Sequence, residues 1–262
     1  MKIHPTAIVH PDAVLAADVE VQPYAIIGPK VRIGAGTVIG PHCVVDGNTA
    51  IGERNRFFPG GQIGAPSQDL KSAPELQGRL VIGNDNVIRE FVTLTSNTMR
   101  NAKEKNRVTS IGDGNLLMCY VHVGHDCKIG NNAVIASYAG LSGHVEVHDY
   151  ANVGGLSALH QFTRVGSYSF VGGMSGVSKD CMPFMLSTGY PCHCHGPNII
   201  GLKRAGFDKA ARIRVKEMYK ILCRSNLNTT QAVQEIRRSV DDSPERRYLL
   251  EFIESSDRGV TK

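Results

Sequence analysis

Between Ile111 and Met182 the chain reads IGDGNL, LMCYVH, VGHDCK, IGNNAV, IASYAG, LSGHVE, VHDYAN, VGGLSA, LHQFTR, VGSYSF, VGGMSG, VSKDCM. Twelve consecutive hexads each begin with an aliphatic residue, and Gly, Asn and Asp recur at fixed places between them. An amphipathic helix repeats every 3.6 residues and a half-buried strand every 2, so a strict period of six fits neither. It fits a parallel β-helix, in which each coil stacks its aliphatic side chains on the coil below and turns at small or polar residues.

Working outward, the same period runs from Ile3 to Gln68 as IHPTAI, VHPDAV, LAADVE, VQPYAI, IGPKVR, IGAGTV, IGPHCV, VDGNTA, IGERNR, FFPGGQ, IGAPSQ. The segment DLKSAPELQGRLV (69–81) interrupts it, three hexads follow from Ile82, and RNAKEKNRVTS (100–110) interrupts it again. Both read as loop insertions. At Pro183 the repeat stops, and from about Asn198 the pattern becomes helical. Within KAARIRVKEMYKILCR the expected buried positions are Ala210, Ile213, Met218, Ile221 and Leu222, and Ser243-Pro244 reads as a helix start. The expected fold is mainly β: a parallel β-helix over 1–190 with insertions near 69–81 and 100–110, then a C-terminal α-helical domain over 191–262.

Composition agrees with this. The 262 residues include no Trp, 6% aromatics and 28 glycines, which suits many short turns. No stretch approaches the 18 or so apolar residues of a membrane span, and the start lacks a secretory apolar run. Seven irregularly spaced cysteines read as reduced thiols, so a cytoplasmic protein is expected. The net charge of +5 is carried by the segment from Ile199 onward, with eight Lys or Arg between Lys203 and Arg224 against Asp208 and Glu217. That cluster suits an acidic partner.

A coil of three hexads has 18 residues, which places equivalent positions one above another about 4.8 Å apart. Eighteen residues beyond His125 lies Gly143, beside His144; eighteen further lies Gln161, beside His160. His122, His125, Gly143, His144, His160 and Gln161 therefore line one edge of three adjacent coils. Two chemistries could use such an edge. In acyl transfer, His125 is the general base, Asp126 fixes its tautomer, and a backbone N–H at Gly143 binds the oxyanion. In a zinc hydratase, three imidazoles bind a metal. Cys192-His193-Cys194-His195 has no second cysteine pair to support a metal site.

The chain resembles the acyl carrier protein-dependent UDP-N-acetylglucosamine O-acyltransferases of lipid A biosynthesis. The resemblance rests on IHPTAIV, NLLM with HVGHDC (115–127), AGLSGHVEV (139–147), GGLSALHQF (154–162), GGMSGVSKD (172–180), NIIGLKRAGF (198–207) and QDLK at 68–71. It implies a left-handed β-helix and a homotrimer with active sites between subunits. It implies acyl carrier protein as acyl donor and a nucleotide sugar as acceptor, with neither cofactor, metal nor nucleic acid. On the matching positions, His125 and Asp126 resemble the base and its orienting partner, and Gly143 the oxyanion donor. Asp69, Lys71, His122, His144, His160, Gln161, Asn198 and Arg204 resemble the residues around the nucleotide sugar and acyl chain, and Gly173 the acyl-length ruler. Two departures stand out: Thr95-Ser96-Asn97-Thr98 replaces the family's HRGT, and Ala205 replaces the second arginine of KRRGF. Both remove cations near the nucleotide. The acceptor is therefore expected to be UDP-N-acetylglucosamine or a modified form of it, with Arg100, Lys103 or Arg107 as possible replacements. The alternatives are a coenzyme A-dependent nucleotide-sugar acetyltransferase, a zinc hydratase of the carbonic anhydrase type and a silent regulatory homologue.

Overall fold

The computed structural model describes residues 1–73, 75–101 and 106–262. Lys103 and part of the second interruption lie outside the described residues. Strands of mostly two residues form three sheets of eleven, nine and eight strands, parallel and taking every third strand in chain order except at the end of the first, which closes on an antiparallel pair. The chain thus winds as a triangular prism. Partners sit one coil apart, as in Lys2 with Glu20, His122 with Gly140, and Lys128 with Glu146.

The two interruptions lengthen individual coils without disturbing the stack. Arg56 pairs with Val87 and Val87 with Leu116, so the extra residues bulge out while the ladder closes over them. Strand Arg79–Ile82 already pairs with Asn48–Ile51, and Thr109–Ile111 with Leu80–Ile82. The last residues of both interruptions are therefore strand.

Side-chain alternation explains the hexad. In most two-residue strands the first residue is partly exposed and the second points inward, giving ladders such as Val123, Leu141, Leu159 and Val177, each at most 1% exposed. The turn into the next face also buries one residue, which must be small. Cys127, Ala133, Ala139, Ala151 and Thr163 fill those places. The residue just before it takes a left-handed conformation at corner after corner, with φ of 59° at Asp126, 62° at His144 and 65° at Phe162. Such φ values cost a non-glycine residue on the order of 1 kcal/mol. The corner retains them because the N–H bonds the carbonyl one coil earlier, as in His144 N to His125 O at 2.9 Å and Phe162 N to Gly143 O at 3.2 Å.

The last coils end in an antiparallel pair, Met185–Thr188 with His193–Pro197. Four helices follow: α1 (Ile199–Arg204), α2 (Lys209–Cys223), α3 (Thr229–Ser239) and α4 (Pro244–Glu254), capped by Asn198, Asp208, Asn228 and Ser243. They form a second core with Met182, Phe184 and Met185. Arg164 joins that core to the coils, bonding Asp180 Oδ2 at 2.8 Å and the Phe252 carbonyl at 2.8 Å. In α2 the buried residues are Ala211, Val215, Met218, Tyr219 and Leu222. Ala210 and Ile213 face solvent and Ile221 is only partly buried, so the buried stripe differs from the expected one. Among the described residues no helix is long and apolar enough to cross a membrane.

Candidate active site

The corner between strands His122–Val123 and Lys128–Ile129 carries the site. His125 Nδ1 lies 2.9 Å from Asp126 Oδ2. A carboxylate can only accept, so Nδ1 carries a proton, and in the neutral imidazole Nε2 then keeps its lone pair. Asp126 is 7% exposed and firmly held: its Oδ2 also accepts the Thr98 N–H at 3.0 Å, and its own N–H donates to Thr109 Oγ1 at 2.8 Å. Burial pushes the Asp126 carboxyl up. The bonds from His125 and Thr98 and the nearby His144 outweigh it and keep the group below the usual carboxylate range.

One coil above, a Cβ on Gly143 would fall 2.4 Å from His125 Nε2. The imidazole therefore packs flat on a bare backbone, and among the described residues no carbonyl accepts the Gly143 N–H. His144 meets the His125 ring edge-on at 5.2 Å, stacks on Phe162 at 4.4 Å, and has Nε2 3.8 Å from Asp126 Oδ2. Burial pulls the His144 imidazole below its usual value, against the attraction of Asp126. His122, with Nδ1 2.7 Å from Thr93 Oγ1, is likewise pulled down by burial and then by His125. In both, burial favours the neutral imidazole.

These groups line a half-open cleft of about 500 Å³ with Gln68, Asp69, Lys71, Thr95, Arg100, Gly124, Ser142, Gln161 and Phe162. Asp69 and Lys71 come from the first interruption, which folds back over the corner. The Lys71 N–H bonds Asp69 Oδ1 at 2.9 Å and is the main influence lowering the Asp69 carboxyl. Arg100 Nη2 stands 3.6 Å from Asp69 Oδ2, placing a cation in the cleft. Arg107 instead lines a second cavity beyond Asp126 and His144.

The remaining expected residues lie elsewhere. His160 is exposed, its Nδ1 donating to the Gln161 carbonyl at 3.1 Å. Asn198 caps α1 through Gly201 N at 3.1 Å and donates to the Tyr168 carbonyl at 2.9 Å, and Arg204 is exposed in the last turn of α1. Gly173 sits at another edge of the prism, where a Cβ would meet the Gly155 carbonyl at 3.2 Å. Phe162 and Thr109 were not singled out from sequence, and Thr98 was named only within the segment that replaces the family's HRGT. Phe162 could have been, since it stands 18 residues beyond His144; the other two are hidden by the insertion. The one candidate metal cluster among the described residues is His125, Asp126 and His144, whose donor atoms lie within 4.8 Å of one another.

Residues 109–143 match the bacterial transferase hexapeptide model, and 180–261 match a model described as UDP-N-acetylglucosamine O-acyltransferase, domain 2. A relative in Syntrophobacter fumaroxidans, named acyl-(acyl-carrier-protein)–UDP-N-acetylglucosamine O-acyltransferase, is 47% identical over the full length of both chains. The chain belongs to the UDP-N-acetylglucosamine O-acyltransferase family. A relative of the same name in Thermodesulfovibrio yellowstonii is 44% identical over 100% of this chain and 99% of its own. Among solved structures, LpxA of Acinetobacter baumannii superposes with a TM-score of 0.94 at 41% identity, and LpxA of Bacteroides fragilis with 0.94 at 36%, each covering 99% of both chains. The prism is accordingly a left-handed hexapeptide β-helix with a helical cap, and the protein is an acyltransferase. This membership disfavours the hydratase.

Proposed function

We propose that the protein moves a 3-hydroxyacyl group from acyl carrier protein to the glucosamine 3-position of UDP-N-acetylglucosamine or a closely related nucleotide sugar, the first step of lipid A biosynthesis. The observation that carries this reading is the His125–Asp126 pair at 2.9 Å with Nε2 facing the Gly143 backbone. His125 Nε2 takes the proton of the attacking sugar group, while Asp126 holds the tautomer and stabilises the imidazolium. The thioester carbonyl becomes a tetrahedral oxyanion facing the Gly143 N–H. Collapse expels the carrier thiolate, which takes the proton back from His125.

Asp69, Lys71 and Arg100 line the cleft and suit the acceptor, with His122, His144 and Gln161 around the reacting centre. Asn198, Arg204 and His160 join the site from a neighbouring subunit of a homotrimer. Supporting the trimer are Leu70, fully exposed at the tip of the loop between Asp69 and Lys71, and an exposed aromatic stack of Phe91, Tyr120 and Tyr138 along another edge. Gly173 leaves room for the acyl tail. The carrier protein docks on the exposed face of α2, where Lys209, Ile213, Lys216 and Lys220 form a stripe opposite the buried one. The reaction takes place in the cytoplasm, a reducing compartment that suits the free cysteines.

The test is an assay with 3-hydroxyacyl carrier protein against UDP-N-acetylglucosamine and its 3-amino analogue, with mass readout. The expected product is an acylated nucleotide sugar with release of the carrier thiol. Faster transfer from acetyl-coenzyme A would replace this reading with the acetyltransferase one.

A further inference from the structure

Thr98 is fully buried and touches two parts of the site at once. Its N–H donates to Asp126 Oδ2 at 3.0 Å, the same oxygen that holds His125 Nδ1. Its hydroxyl lies 2.7 Å from Ser67 Oγ, and Ser67 Oγ in turn accepts the Asp69 N–H at 3.2 Å. The chain of bonds therefore runs from His125 through Asp126, Thr98 and Ser67 to Asp69. The neighbours of Thr98 fasten the same loop at both ends. Ser96 Oγ donates to the Ala65 carbonyl at 3.2 Å, and Asn97 Oδ1 accepts the Arg79 N–H at 2.6 Å.

We propose that Thr98 is a positioning residue that fixes the acceptor loop, with Asp69 and Lys71, at a set distance from the proton-accepting pair. This rests on the reading of His125 and Asp126 as that pair. The backbone N–H of Thr98 serves the pair and its hydroxyl serves the loop, so the two duties separate by mutation. The Thr98–Asp126 bond is buried and the links through Ser67 are half-buried, so losing a partner leaves a polar group with little access to water. It also gives the segment 95–98 a purpose here, as a fastener for the loop.

Thr98→Val keeps shape and N–H while removing the hydroxyl. Steady-state kinetics of the full chain should show KM for the nucleotide sugar raised about threefold to tenfold, the worth of one such bond, with kcat and its pH profile little changed. Thr98→Ser should restore KM. Ser67→Ala should match Thr98→Val, and the double variant should be no worse than either single one, because both cut the same link. Should Thr98→Val fail to fold, Ser67→Ala and Thr98→Ser carry the comparison alone. An unchanged KM in Ser67→Ala, effects that multiply in the double variant, or a fall in kcat with KM untouched would each overturn the proposal. His125→Ala in the same assay keeps the two readings apart. If that variant is fully active, the catalytic pair is misassigned; if it is inactive while Ser67→Ala is normal, only the role of Thr98 falls.

Discussion

A Cβ on Gly143 would lie 2.3 Å from Cε1 of His125, so the glycine one coil above is what lets the imidazole lie where it does. The contact is with the ring of a side chain pinned by Asp126, not with a flexible tip. Gly143→Ala should therefore fold and assemble but tilt His125 away, with kcat falling about 10²-fold, the scale of a misplacement near 1 Å. Its backbone N–H remains, so this isolates the steric duty of the glycine. Wild-type turnover in the alanine variant would show that His125 has room the packing does not suggest.

Replacing His125 itself with Ala should lower kcat by about 10² to 10⁴, the usual contribution of a general base, while the melting temperature stays near wild type because the side chain lies outside the aliphatic ladders. Kinetics and thermal unfolding on one preparation check both halves.

Glu146, on the strand one coil beyond Lys128, is pulled down to about 2 by His148, whose Nε2 stands 3.9 Å away, and then by Lys128, against burial. A carboxyl whose folded value lies below its unfolded one stabilises the fold above the unfolded value, near 4.5, and loses that contribution as pH falls toward 2. Glu146→Gln should melt below wild type at pH 7, and the gap should narrow as pH drops below 4. A gap of the same size at pH 3 would assign the loss to packing.

On α2 the basic side chains divide by their contacts. Arg214 is held by Glu245 at 3.3 Å and half-buried, whereas Lys209, Lys216 and Lys220 are exposed on one face with Ile213. Changing those three lysines to Ala should raise KM for acyl carrier protein and flatten its salt dependence, with KM for the nucleotide sugar unchanged. Arg214→Ala should instead lower stability. Equal effects of both changes on the carrier-protein KM would remove the docking face.

Much was legible in the sequence because the repeat is geometric. Outside the two interruptions each coil holds 18 residues, so adding 18 to His125 gives Gly143 and then Gln161, and the structure stacks them in one cleft. The inward ladder, the small corner residues and the helix starts at Asn198 and Ser243 follow from the same local rules.

Elsewhere the local rules run out. α2 carries apolar residues around much of its circumference, so its buried stripe depends on what packs against it. Packing selected Ala211 and Val215 over Ala210 and Ile213. Thr98 lies 28 residues from Asp126, and Ser67 lies 31 from Thr98, separations set by insertions whose length obeys no repeat. Sequence by itself determined the coil, because its period is written in every hexad. Only the tertiary structure decided which loop closes over His125 and what holds it there, because an insertion is placed by the buried groups it finds, and those come from distant coils.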